Sequence, residues 1–261
     1  MNNPDTLSPS PVCFVTGGAT GIGAACVRRF AAAGWAVAIN NFGPSTLLAA
    51  LALAAGVSAA GGQALLLEGD VSQDADCRRM AGEVLARWGR IDVLINSAGT
   101  TRPIPQADLD SLDGAEFHRV YDVNVVGIFQ TVRACLPALR ERGGAVLNIT
   151  SVGGIHGTGS SMAYAASKGA ANTLTLSLAR TLAPLVRVNA IAPGFVDEGL
   201  LSRALPPYDY AAVLARLQAS APLRRVCLPP EIADLAWALA TQPGMTGQII
   251  APDNGLALNA G

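Results

Sequence analysis

The sequence predicts a doubly wound parallel α/β fold, and three observations predict it. First, short continuous apolar runs recur at residues 12–15, 36–39, 64–67, 91–95, 145–150, 186–191 and 247–251. Runs of this length without polar alternation are what strands buried on both faces require. Second, segments of helical period lie between them. Strand and helix therefore alternate, which builds right-handed βαβ units into one parallel sheet of about seven strands flanked by helices. Third, a glycine-rich turn joins the first strand to the first helix. No linker or repeat interrupts the pattern, so residues 12–261 read as a single domain and residues 1–11 as a disordered tail.

Composition bounds the function. The 261 residues are 51% hydrophobic and only 14% charged, with a formal net charge of −1. That is ample apolar material for a core, and its alanine-rich excess points to tight helix packing and self-association. No basic stripe marks a nucleic-acid surface. The polar first residues lack the apolar h-region of a signal peptide. The apolar run at 47–60 is shorter than the ~20 residues that span a bilayer. A cytoplasmic protein without a membrane partner is expected. Cysteines 13, 26, 77, 135 and 227, with no Cys-x-x-Cys, read as reduced thiols, mostly in the core. Histidines 118 and 156 are too few and too far apart to build a metal site.

Each element carries its own signal. The first strand runs into Thr16-Gly17-Gly18-Ala19-Thr20-Gly21-Ile22-Gly23, and a helical pattern follows over 24–33. Glycines permit a tight turn and the close approach of a pyrophosphate, while the helix N-terminus adds unpaired N–H groups and partial positive charge. Dinucleotide binding is the expectation. The second strand ends at Asn40-Asn41, where an acidic residue would bind a ribose 2′-hydroxyl and repel a 2′-phosphate. Neutral amides stand there instead, which favours NADP(H) over NAD(H). A nearly uncharged helix is expected over 45–60. Asp70-Val71 follows the third strand, an amphipathic helix spans 74–88, and the fourth strand ends in Asn96-Ser97-Ala98-Gly99. Those small residues leave room for the ribose and adenine side of a cofactor.

A proline-interrupted loop over 100–113 leads into one long helix, 116–140, with Asn124 in its interior. Asparagine competes for backbone hydrogen bonds in a helix. Either it links toward Lys168 or it faces solvent. The fifth strand ends at Ser151, and a helix over 163–183 carries Tyr164 and Lys168. Pro193-Gly194-Phe195-Val196 follows the sixth strand. Residues 197–228 read as a substrate lid, with Tyr208, Tyr210 and an amphipathic piece at 211–219. A helix over 231–240 precedes the last strand. Ligands in doubly wound sheets sit at the carboxyl ends of strands, and these motifs all fall there.

Tyr164 and Lys168 are four residues apart, which puts them on one helix face about 5–6 Å apart at Cβ. Among 18 Lys and Arg residues, Lys168 is the single lysine. Lysine is a compact point charge rather than a planar fork. A free tyrosine titrates near ~10. One cation at ~4 Å with an effective dielectric of ~20 is worth about 4 kcal/mol. Lys168 alone is therefore expected to lower the Tyr164 pKa toward neutrality. A bare Tyr-x-x-x-Lys also suits a solvated helix face; its convergence with the glycine turn favours chemistry.

Together these residues resemble the short-chain dehydrogenase/reductase family over about residues 12–257. Thr16-Gly17-x-x-x-Gly21-x-Gly23 looks like its cofactor turn, and Asp70-Val71 like its adenine contact. Asn96-Ser97-Ala98-Gly99 resembles its Asn-Asn-Ala-Gly, and Pro193-Gly194 with Val196 its nicotinamide-side loop. Asn124, Ser151, Tyr164 and Lys168 match its catalytic four in order and spacing. The 3-oxoacyl-(acyl carrier protein) reductase-like members are the most similar subgroup.

The resemblance implies a Rossmann-type fold, a homotetramer, and hydride transfer between NAD(P)(H) and a carbonyl or secondary alcohol. Tyr164 would move the proton, Lys168 would hold the nicotinamide ribose, and Ser151 would hydrogen-bond the substrate oxygen. Asn124 would hold a water linking Lys168 to solvent, and His156 is a further candidate for touching substrate. Three departures stand out. Ser97 replaces an asparagine, Asp197-Glu198-Gly199 replaces a usual threonine, and Pro252-Asp253-Asn254-Gly255 stands where Val-Asp-Gly-Gly is common. The second of these implies a looser hold on the nicotinamide amide. Two rival readings are a catalytically silent NAD(P)-sensing protein and an S-adenosylmethionine methyltransferase, which would need neither Tyr164 nor Lys168.

Overall fold

Seven parallel strands form the sheet: β1 (Val12–Thr16), β2 (Ala36–Asn41), β3 (Ala64–Glu68), β4 (Val93–Asn96), β5 (Ala145–Ile149), β6 (Arg187–Ile191) and β7 (Ile249–Ile250). The computed structural model describes residues 10–259, so residues 1–9 of the expected tail lie outside the described residues. The strand order is β3-β2-β1-β4-β5-β6-β7. The chain winds outward from β1 in one direction, then returns to β4 and winds the other way. The reversal between β1 and β4 opens a crevice above their carboxyl ends, where such sheets bind ligands. Register keeps those ends level, with Thr16 paired to Asn96 and Asn96 to Asn148.

The helices are α1 (Gly21–Ala32), α2 (Pro44–Ala59), α3 (Asp74–Trp88), α4 (Gly114–Tyr121), α5 (Gly127–Arg142), α6 (Gly153–His156), α7 (Met162–Leu182), α8 (Leu200–Ala204), α9 (Pro207–Ser220) and α10 (Pro229–Thr241). Alternate strand residues feed two cores, as the period of two demands. Phe14 and Ala38 face α3, α5 and α7, while Val15 and Ile39 face α1, α2 and α10. Phe30, Trp35 and Trp237 lock α1 to α10 edge to face, with ring centroids 5.2, 5.1 and 5.7 Å apart. All five cysteines are free and buried. No helix among the described residues is long and apolar enough to cross a membrane.

The structure moves several expected boundaries, each for a physical reason. Asn40 and Asn41 lie inside β2 rather than after it, because pairing with β3 continues to Asn41 opposite Glu68. The long helix expected at 116–140 is α4 and α5 joined by a π-helical segment, Asp122–Val126, that contains Asn124. A π turn opens the backbone ladder by one residue, and such bulges concentrate at functional sites. The glycine-rich segment after Ser151 folds into the short helix α6, and the lid holds two helices rather than one amphipathic piece.

Leu147 lies mid-strand in β5 and is fully buried. Leu147→Ala is expected to cost about 3 kcal/mol through lost burial and the cavity left behind. Urea unfolding measures this, and a loss below about 1 kcal/mol would contradict the packing described.

Candidate active site

The glycine turn is held by its neighbours before any ligand enters. Gly17 N donates to Asn40 Oδ1 at 3.0 Å, and Asn40 Nδ2 donates to Gly69 O at 2.9 Å. The Asn40 side chain thus ties the β1 turn to the end of β3. A Cβ on Gly23 would lie 2.2 Å from Gly17 O, so only glycine lets α1 pack against the turn. Thr20 is the N-cap of α1, and its side chain makes no bond to the helix. The first N–H groups of α1 therefore lack a side-chain acceptor, which suits an anion.

Asn41 differs from Asn40. It is 2% exposed, yet neither Nδ2 nor Oδ1 has a hydrogen-bond partner. An unpaired buried amide is costly and calls for an explanation. It lines the same cavity as the glycine turn. A polar ligand reaching the end of β2 would satisfy it, and a dinucleotide's ribose is of the right kind.

Tyr164 sits in the first turn of α7, fixed by the Ser161 cap, whose Oγ accepts from Tyr164 N at 3.2 Å. Ser151 follows β5, and its Oγ accepts from Gly153 N at 3.0 Å at the start of α6. Burial raises the Tyr164 pKa, and a hydrogen bond with the Ser151 hydroxyl pulls it back only in part. Lys168 is 4% exposed, and burial lowers its pKa to about 8. Its Nζ donates to Ile149 O at 2.9 Å and lies 5.6 Å from the Tyr164 ring centroid. The expected lowering of Tyr164 by Lys168 is therefore not what the structure gives. The ammonium is turned toward a backbone carbonyl, and the buried setting disfavours both charged forms.

Asn124 is fully buried, so it does not face solvent. Its Nδ2 donates to Thr100 O at 3.1 Å and to Ser167 Oγ at 3.0 Å, and its Oδ1 accepts from Thr100 N at 2.9 Å. Its amide is spent on these groups, of which Ser167 is the chain neighbour of Lys168, and not on the ammonium itself. Asn96, expected at the cofactor, is likewise committed below the crevice. Its Nδ2 donates to Asn148 Oδ1 at 2.9 Å and its Oδ1 accepts from Thr131 Oγ1 at 2.6 Å.

One cavity of about 1090 Å³ gathers most of the expected residues above the strand ends. Gly23, Asn96 and Asn124 are the exceptions; they support it from beneath. Ala19, Ile22, Asp70, Val71, Ala98 and Gly99 line one part, and Ser151, His156, Tyr164, Lys168 and the 193–196 loop another. His156, at the end of α6, is exposed and reaches the cavity wall. The glycine cradle, the uncapped α1 and the unpaired Asn41 amide fit a dinucleotide cofactor. The sequence reading missed Arg119, Arg203 and Arg216, which also line the cavity. Among scattered surface arginines their spacing carries no signal; only folding brings α4, with Arg119, and the lid, with Arg203 and Arg216, to one cavity.

Comparison with known proteins agrees with this geometry. A family model described as Enoyl-(Acyl carrier protein) reductase matches residues 17–257. The chain is 33% identical to the 3-oxoacyl-(acyl-carrier-protein) reductase of Thermotoga maritima over 251 residues, covering 95% of this chain and 98% of that protein. It is 34% identical to the cis-4-hydroxycyclohexanecarboxylate dehydrogenase of Sinomonas cyclohexanicum, covering 94% and 95%. A crystal structure from Burkholderia xenovorans, assigned to the short-chain dehydrogenases/reductases, superposes with a TM-score of 0.90 at 54% identity, covering 97% of this chain and 100% of that one. A blue fluorescent protein from a metagenomic library, solved in complex with NADPH, superposes with a TM-score of 0.85 at 31% identity, covering 95% and 98%.

Removing the Asn124 amide would strand both backbone groups of Thr100. Asn124→Ala is therefore expected to cost at least about 2 kcal/mol of stability, measured by urea unfolding. A change below about 0.5 kcal/mol would show that the bonds do not support the site.

Proposed function

Because the chain belongs to the short-chain dehydrogenase/reductase family, and is an NAD(P)-dependent oxidoreductase acting on carbonyl or CH–OH groups, we propose that Tyr164 is its proton donor and acceptor. The observation that carries this is one grouping: a phenol bonded to Ser151, beside a buried ammonium, in the cavity that holds the glycine turn. The nicotinamide cofactor, when bound, supplies or accepts the hydride. The Ser151 hydroxyl orients the substrate oxygen and hydrogen-bonds it as negative charge develops. Tyr164, kept protonated by burial, gives its proton to that oxygen, and takes one back when an alcohol is oxidised. Lys168, with its Nζ 5.6 Å from the Tyr164 ring centroid, supplies a donor for the nicotinamide ribose. Asn124 acts as a positioning residue through Thr100 and Ser167. His156 meets substrate at the cavity edge. The Gly17–Gly23 turn, Asp70 with Val71, Ala98 with Gly99, and Pro193-Gly194 with Val196 hold the cofactor.

NADP(H) is the favoured cofactor. Asn41 stands at the end of β2 with a free amide donor and no acidic side chain of its own, which accepts a 2′-phosphate without repulsion. The relative solved with NADPH is consistent with that preference. Self-association into a tetramer is supported by Phe129 and Leu176, apolar residues left 43% exposed on α5 and α7. A cytoplasmic location accords with five free thiols.

The test is oxidation of NADPH and NADH by the wild type against ketones, 3-oxoacyl thioesters, sugars and steroids. With the best substrate, Tyr164→Phe is expected to lose at least about a thousandfold in kcat. Cofactor affinity, read by fluorescence titration, should change less than about threefold, since one hydroxyl away from the glycine turn is removed. Turnover in that variant within about tenfold of wild type would refute the assignment.

A further inference from the structure

The lid carries a cation that points at the positive end of a helix. Arg203 lies in α8, and its Nη1 donates to Oγ1 of Thr20, the N-cap of α1. Among the described residues no carboxylate lies within ion-pair distance of Arg203, whereas Arg79, Arg119 and Arg225 are each paired with a nearby acid. Arg203 lines the cavity together with Gly17, Thr20 and Gly21. The root of the lid packs on the same turn: a Cβ on Gly21 would lie 3.3 Å from Glu198 O. That root is pinned. Tyr210 Oη donates to Asp197 Oδ1 at 2.6 Å, accepts from Glu198 N at 3.1 Å, and its ring lies 5.8 Å from that of Phe195.

A helix N-terminus behaves as about half a positive charge. A guanidinium facing it across a neutral hydroxyl is two like charges with only that hydroxyl between them. An anion placed there satisfies both. The guanidinium's planar fork of donors matches phosphate oxygens in pairs, and the α1 N–H groups meet the same oxygens from the other side.

We propose that Arg203 is a positioning residue that clamps the cofactor's pyrophosphate between α8 and the N-terminus of α1. The inference rests on the dinucleotide reading above. It assigns the lid a second role, since filling the cofactor site also holds α8 in place beside the substrate. The pyrophosphate is favoured over a 2′-phosphate because Arg203 reaches the turn residue Thr20, whereas the 2′ position belongs at the end of β2, beside Asn41.

The experiment is isothermal titration of the full-length protein with NADP⁺ and with NAD⁺, in the wild type, R203A, R203Q and R203K. Loss of a bidentate charged contact is expected to weaken both cofactors by a similar factor, about tenfold or more, in R203A and R203Q. R203K should fall between. Chymotrypsin digestion supplies a readout independent of turnover: NADP⁺ should slow cleavage at residues 200–210 in the wild type and not in R203A. Matching thermal melts of the free proteins exclude misfolding, and R203Q keeps the test intact should R203A melt early. Unchanged affinity in R203A and R203Q would overturn the proposal. A loss confined to NADP⁺ would also overturn it, by moving the contact to the 2′-phosphate. Failure of the wild type to bind either cofactor would sink the parent reading instead.

Discussion

The candidate site depends on one contact, the Lys168 ammonium donating to the Ile149 carbonyl at the end of β5. Several elements must be right for it to exist. β5 must end where it does, α7 must begin at its Ser161 cap, and α6 must lie against α7. A Cβ on Gly154 would sit 2.3 Å from the Lys168 carbonyl carbon, so that last approach requires glycine. The resulting burial holds the ammonium's pKa at about 8. A folded value below the unfolded ~10.4 means the charged form opposes folding at neutral pH. That penalty is complete below about 8 and fades as pH rises from there toward ~10.4. The fold tolerates a strained cation where a mobile proton is useful.

Beneath the crevice lies a layer of buried polar bonds. Thr131, Asn96, Asn148 and Thr175 form one chain across β4 and β5, with links of 2.6, 2.9 and 2.9 Å. Asn124 forms another with Thr100 and Ser167. Of these residues only Thr100 lines the cavity; the others brace the strand ends and helices beneath it. Fully satisfied networks of this kind rigidify a core and specify one arrangement. Asn96, expected at the cofactor, has its side chain held in this layer rather than at the cavity wall.

Much of the architecture was legible because it follows from local pattern. Uninterrupted apolar runs imply strands covered on both faces, and alternation with helices leaves few topologies. The glycine turn was legible because close approach leaves no room for side chains. What stayed hidden depends on contacts distant in sequence. Asn40 and Asn41 look alike in the chain, but pairing with β3 draws both into β2, and only the fold engages one amide and frees the other. The i,i+4 spacing puts Tyr164 and Lys168 on one face, but it cannot aim the ammonium, which chooses a carbonyl from β5. The π turn at Asn124 and the meeting of Arg203 with Thr20 likewise arise from tertiary packing, without a periodic signal.

The most direct test exploits composition: a chain whose only lysine is Lys168 gives a single side-chain signal when labelled with ¹³Cε-lysine. Titration of that resonance in the free protein is predicted to show a midpoint near about 8. A midpoint near the ordinary ~10.4 would mean the ammonium is solvated, and would contradict the buried site described above.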